Sequence, residues 1–176
     1  MKWKDKLLKK LAADLKNDEE WRLYIEKLKS DYPEIGIHLA VFSEPILSEL
    51  LAGNKTIESR FSSNRISPFG KIYTGDVVLV KKSGGPVVAV FVTGSITSHA
   101  NLTPAKILSL RNQYSTSLGL TVSDQFWKDK EHSKYGTLVS IKRLSEVSPY
   151  HIDKKDRTGW VVLQERKINQ IFTRNK

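Results

Sequence analysis

The chain has 176 residues, 39% of them hydrophobic and 27% charged, enough for one ordinary core and cramped for two. Its net charge of +10 favours a polyanionic partner such as nucleic acid. It has no cysteine, which removes disulfides, thiolate nucleophiles and cysteine-based zinc sites.

Residues 1–36 carry 9 basic and 8 acidic side chains, whereas residues 37–165 carry 16 and 11 and residues 166–176 carry 4 and none. The positive excess therefore belongs to the body and the tail. The charged opening around Met1, Lys2 and Lys4 lacks the apolar core of a signal peptide, and no apolar run approaches the roughly 20 residues of a membrane span. A cytoplasmic protein without a membrane partner is the expectation.

In chain order, Trp3, Leu7, Leu8, Leu11 and Leu15 fall near helical spacing, predicting an amphipathic helix over residues 2–16. A second helix is predicted after Asn17 as N-cap, with Asp18, Glu19 and Glu20 in its first turn and Trp21, Tyr24, Ile25 and Leu28 on one face. Pro33 and Gly36 are read as its end. This hairpin, residues 1–36, is expected to pack on the body; a basic membrane-surface or partner-binding element is the alternative.

From Ile37 the texture becomes strand-rich. Five strands are predicted: Ile37–Phe42, Asp76–Lys81, Pro86–Ser95, Thr137–Leu144 and Gly159–Leu163. Gly84-Gly85 between apolar runs signals a hairpin. Helices are expected over Pro45–Leu51, ended by Gly53, and over Thr103–Tyr114, with Thr103 and Pro104 in the N-cap and N1 arrangement. Phe126-Trp127 anchors a further helix or loop.

The segment Gly53-Asn54-Lys55-Thr56-Ile57-Glu58-Ser59-Arg60, followed by Gly75-Asp76, resembles the G-x-K-x-x-E-x-R and G-D signature of the ASCH family within the PUA-like superfamily. The resemblance covers about residues 37–165. It implies an α+β fold, a small PUA-like β-barrel of about five to six strands with flanking helices, to which the N-terminal helical hairpin is added. It also implies that the Lys–Glu–Arg run enters a strand lining a cleft. Residues 166–176 remain as a basic tail.

In an extended run Glu58 and Arg60 share one face, and Ile57, Ser59 and Phe61 share the other. Glu58 can accept from a base edge, while Arg60 and Lys55 can hold phosphate or a carbonyl oxygen. The bland alternative is an exposed salt bridge worth at most about 1 kcal/mol. The loop after it offers Phe61, Ser62, Asn64, Arg65 and Phe69 for base stacking and phosphate contact, although the two phenylalanines could equally plug the barrel. Lys82 and Ser83 stand beside the glycine turn, a recurrent anion-binding arrangement. Lys155 and Arg157, just before Trp160, could close the cleft from the far side or form a solvated turn.

The four histidines show no metal spacing, and no phosphate-binding loop, dinucleotide fingerprint or nucleophile elbow is present. No cofactor and no metal is expected. The expectation is a nucleic-acid or nucleotide binding module, with RNA ahead of DNA. The alternative is a small hydrolase acting on RNA or on a modified nucleoside of the N4-acetylcytidine type. The resemblance implies for such amidohydrolases the motif lysine, a threonine three residues later and a downstream glutamate. Lys55 matches, Glu58 occupies the threonine position, and Glu131 is the downstream candidate. Metal-assisted RNA cleavage would use Glu58 and Asp76.

Overall fold

The computed structural model describes residues 3–30, 33–119, 124–152 and 157–167. Among these, helices α1 (Trp3–Asp14) and α2 (Glu19–Lys29) precede β1 (Ile37–Phe42), α3 (Ile46–Leu51), β2 (Ile57–Ser62), β3 (Val77–Lys82) and β4 (Val87–Ala100). Then follow α4 (Pro104–Tyr114), α5 (Asp124–Lys130), β5 (Tyr135–Tyr150) and β6 (Trp160–Gln164). No helix of the described residues is long and apolar enough to cross a membrane.

The six strands form one sheet in the order β2-β5-β4-β3-β1-β6. Strand β1 runs parallel to β3, and the other neighbours are antiparallel. The long β4–β5 ladder is interrupted by three register shifts, at Val87/Ala89, Val90/Val92 and Thr93/Ile96. Such bulges bend and twist a ladder. Gly94 sits in the third, where a Cβ would collide with the Ser140 hydroxyl. The sheet curls into a half-barrel whose edge strands approach each other: Arg60 on β2 lies over the ring of Trp160 on β6, 5.4 Å from its centroid.

Alternation along the strands divides the core in two. Ile37, Leu39, Val77 and Leu79 point to the convex face, where they join Leu7, Leu8, Leu11, Trp21, Ile25 and Leu28 of the helical hairpin. Ala40, Phe42, Val78, Val80, Ala89 and Phe91 point to the concave face with Val139 and Trp160, plugged by Leu47 and Leu50 of α3. A third cluster, with Leu102, Ile107, Leu110, Leu118, Trp127 and Leu138, seats α4 and α5. Burying one large apolar side chain is worth about 1.5–3 kcal/mol, so these side chains account for the placement of all five helices. The hairpin is also tied down polar group by polar group. Trp21 Nε1 donates to Ser145 Oγ at 2.8 Å, and Arg143 Nη1 lies 2.8 and 3.0 Å from the two Asp18 oxygens.

Several boundaries differ from the sequence reading. The N-cap of α2 is Asp18, which accepts from the Trp21 amide at 3.0 Å, rather than Asn17. That helix ends at Lys29, ahead of Pro33. β4 and β5 are longer than predicted because their extensions, around Thr97–Ser98 and Ser145–Ser148, are mostly polar and give too little apolar alternation to mark a strand. The α4 cap falls on Thr103, whose side chain accepts from the Lys106 amide, with Pro104 next.

Candidate functional site

The Lys–Glu–Arg run is positioned by two staples. After α3, the amides of Asn54 and Lys55 both donate to Glu49 O, at 3.0 and 3.1 Å, and the amides of Thr56 and Ile57 donate to Ser117 O, at 2.8 and 2.9 Å. The lysine is thereby turned inward. Lys55 Nζ donates to Leu118 O at 3.1 Å and stands 3.1 Å from Glu58 Oε2. Glu58 Oε1 lies 2.7 Å from Arg60 Nε. That N–H is not aligned for a hydrogen bond, so the contact is one of charge alone. Glu58 thus bridges two cations, and both Lys55 and Glu58 are only 4% exposed.

Arg60 is the hinge of the arrangement. Its Nη2 donates to Val41 O at 3.0 Å on β1, and its guanidinium lies between the rings of Phe42 and Trp160, 5.6 and 5.4 Å from their centroids. A Cβ at position 159 would stand 2.7 Å from Arg60 Nη1, so a side chain there would displace the guanidinium. Glu58, β1 and β6 therefore fix a single guanidinium orientation across the seam of the half-barrel.

Two cavities meet at this residue. The larger, about 760 Å³, has Arg60, Tyr135 and Thr137 on its strand side, Gly159 and Trp160 opposite, and the loop bearing Arg65, Phe69 and Lys71 above. The register pairs Arg60 with Thr137 and Ser62 with Tyr135, so all four side chains rise from one face of the β2–β5 ladder. Phe69 packs edge-on to Tyr135, 5.0 Å between centroids, and Arg65 covers the Phe69 ring at 5.4 Å. Lys71 pairs with Glu165 at 2.9 Å. The smaller cavity, about 260 Å³, is bordered by Lys55, Glu58, Arg60, Phe126 and Lys130.

Beneath Trp160 runs a buried relay. Trp160 Nε1 donates to His38 Nδ1 at 3.2 Å, which leaves the imidazole proton on Nε2, 3.2 Å from Asp76 Oδ2. Asp76 also accepts from the Gly36 amide at 2.7 Å, the Tyr73 amide at 2.8 Å and Arg166 Nε at 3.0 Å. Burial alone would raise the Asp76 carboxyl, but the hydrogen bonds from His38, Arg166, Gly36 and Tyr73 outweigh it and hold the group below the usual carboxylate range. The Gly-Asp of the motif is thus a structural clamp under the cleft, with a carboxylate that is 0% exposed. Its four partners do not suit the metal-assisted cleavage considered for Glu58 and Asp76. Among the described residues no group of three or more histidine or acidic side chains is arranged to hold a metal.

Of the residues singled out in the sequence, Lys55, Glu58 and Arg60 come together, and Arg60, Phe61, Ser62 and Arg65 line the large cleft. Phe61 also reaches the third core cluster, 6.1 Å from Trp127, so it serves packing as well. Asn64 is exposed and donates its amide to Ser62 Oγ at 3.1 Å. Lys82 and Ser83 sit at the β3–β4 turn, where Lys82 is 3.8 Å from Glu44 and the Ser83 amide donates to Phe42 O at 2.8 Å, and neither borders the two cavities. Arg157 is exposed and outside their linings, and Lys155 lies outside the described residues. Glu131 faces a separate groove between α4 and α5 with Leu108 and Trp127, away from Lys55. Sequence reasoning missed Tyr135 and Thr137, whose orientation is set by their register against β2 and by nothing local.

No family model matches the chain, and no curated protein matches it. Solved structures do. The ASCH protein of Zymomonas mobilis is 13% identical over 73% of this chain and 87% of its own, with a TM-score of 0.56. Two point mutants of that protein, also 13% identical, give TM-scores of 0.56 over 73% of this chain and 90% of theirs and 0.57 over 74% and 90%. At this identity the likeness is one of fold: the chain has an ASCH-domain-like α+β half-barrel.

Proposed function

We propose that this chain binds a nucleic acid or nucleotide, RNA ahead of DNA, in the cleft at the β2–β6 seam. The observation that carries the reading is the cleft of about 760 Å³ lined by three cations, Arg60, Arg65 and Lys71, together with Phe69, Tyr135 and Trp160. A single nucleotide needs both an aromatic platform and a cationic contact, and ligand cavities run to about 300–1,000 Å³. The hydroxyls of Ser62 and Thr158 on the same lining suit a ribose 2′-hydroxyl, which favours RNA. In this reading Arg60, Phe61, Ser62 and Arg65 touch the ligand, while Lys55 and Glu58 hold the Arg60 guanidinium in place.

One observation favours a second reading. The Lys55 amine and Glu58 carboxylate, 3.1 Å apart, border the smaller cavity as a pair able to pass a proton. A hydrolase acting on RNA or on an N4-acylated cytidine would use them so.

The first reading is tested by fluorescence anisotropy with a labelled single-stranded RNA at low and near-physiological salt. Binding that weakens as salt rises is expected, since arginine and lysine contacts release counterions. No binding at either salt rejects it for polymers. Turnover of N4-acetylcytidine that disappears in both Lys55→Ala and Glu58→Gln would make the second reading the correct one.

A further inference from the structure

Thr137 is 1% exposed, and its Oγ1 is buried without a hydrogen-bond partner among the described residues. It lies on the strand side of the large cleft, directly across the β2–β5 ladder from Arg60. A threonine in a strand usually spends its hydroxyl on a neighbour, and an unpaired buried hydroxyl costs stability. Valine would fill the same volume without that cost. We infer that Thr137 is a ligand-binding residue whose hydroxyl is completed by the ligand, an inference that rests on reading the cleft as a nucleotide site.

The chemistry of the pair sets the form of the contact. Arg60 offers donors only, whereas a threonine hydroxyl both donates and accepts. Beside each other they match an edge on which a carbonyl oxygen adjoins a ring nitrogen: the carbonyl accepts from Arg60, and the nitrogen, protonated or not, meets Thr137. Uracil, cytosine and guanine carry such an edge. Adenine meets the same pair with its own edge, a ring nitrogen accepting from Arg60 and the neighbouring amine donating to the Thr137 hydroxyl. The pair therefore suits a base edge that presents an acceptor to Arg60 beside either a donor or an acceptor for Thr137, with Trp160 and Tyr135 supplying apolar walls that are indifferent to base identity.

The test is calorimetric titration of the intact protein with UMP, CMP, GMP and AMP, repeated on Thr137→Val and Thr137→Ser, with melting temperatures alongside. Wild type is expected to bind at least one of the four nucleotides. Thr137→Val should weaken that binding about tenfold while its melting temperature holds or rises, and Thr137→Ser should keep the binding. Wild type that binds none of the four rejects the nucleotide reading itself. Wild type that binds while Thr137→Val binds equally well overturns this inference and leaves that reading standing. A Thr137→Val protein that melts lower and binds weakly, with Thr137→Ser no better, would make the hydroxyl a structural group and also overturn it.

Discussion

The two faces of the sheet are built from the same strands by different rules. On the convex face Ile37, Leu39, Val77 and Leu79 meet the hairpin of α1 and α2 in a cluster of apolar side chains, with the ion pairs of Asp18 and Arg143 at its rim. On the concave face the next residue along each strand enters a core that also takes in charge: His38, Asp76, Glu58 and Lys55 are all nearly or fully buried. Buried charges are tolerated where they are paired and hydrogen-bonded, and they lower stability relative to a well-packed apolar core. The contrast teaches where each region's contribution lies: the convex face supplies stability, and the concave face gives some of it up to fix Arg60 and Trp160 at the mouth of a cleft.

That division is open to direct attack. The largest effect is expected from Trp21→Ala. Trp21 is 0% exposed and donates to Ser145, so its loss should cost about 3–5 kcal/mol in chemical denaturation. Nucleotide affinity of the folded fraction should be unchanged. Lost affinity in protein that is still folded would join the hairpin to the site and erase the contrast.

Glu58→Gln probes the other face. It leaves the Lys55 ammonium buried beside a neutral amide and frees Arg60 of its anchor, so a destabilisation of about 3 kcal/mol is expected. Unlike Trp21→Ala, it should also weaken nucleotide binding, read by calorimetry. Unchanged stability would mean that the Lys55–Glu58–Arg60 chain does not act as a buried unit.

The smallest effect is one of pH. Because Asp76 is held below its unfolded value, it contributes stability that is complete above about pH 4 and is lost as pH falls through its lower folded value. Asp14 adds to the same trend: the hydrogen bonds of Ser148 and Lys10 outweigh its partial burial and lower its carboxyl too. Denaturation midpoints measured from pH 6 downward should therefore fall more steeply for wild type than for Asp76→Asn. Equal slopes would show that the relay beneath Trp160 does not depend on the Asp76 charge.

Much of this architecture was legible in the sequence. The limits of β1, the Thr103–Pro104 helix start, the Gly84-Gly85 turn and the shared face of Glu58 and Arg60 follow from local rules of alternation, capping and turn chemistry. The site itself was legible only in part. Arg60 meets Thr137 across a ladder that joins distant stretches of chain, and Trp160 meets Arg60 only because three bulges curl the sheet. Neither register nor curvature is written in a window of ten residues. Asp76 could be read as chemistry in the sequence because nothing local reveals that Gly36, Tyr73, His38 and Arg166 surround it.

The most direct test of the central claim is ultraviolet crosslinking of wild-type protein to a single-stranded RNA containing 5-bromouridine, with the attachment sites located by mass spectrometry. The account predicts adducts on Phe69, Tyr135 or Trp160, three of the rings that line the cleft, and their loss when Arg60 is replaced by alanine. Adducts confined to the helical hairpin, or adducts on those rings that persist without Arg60, would contradict it.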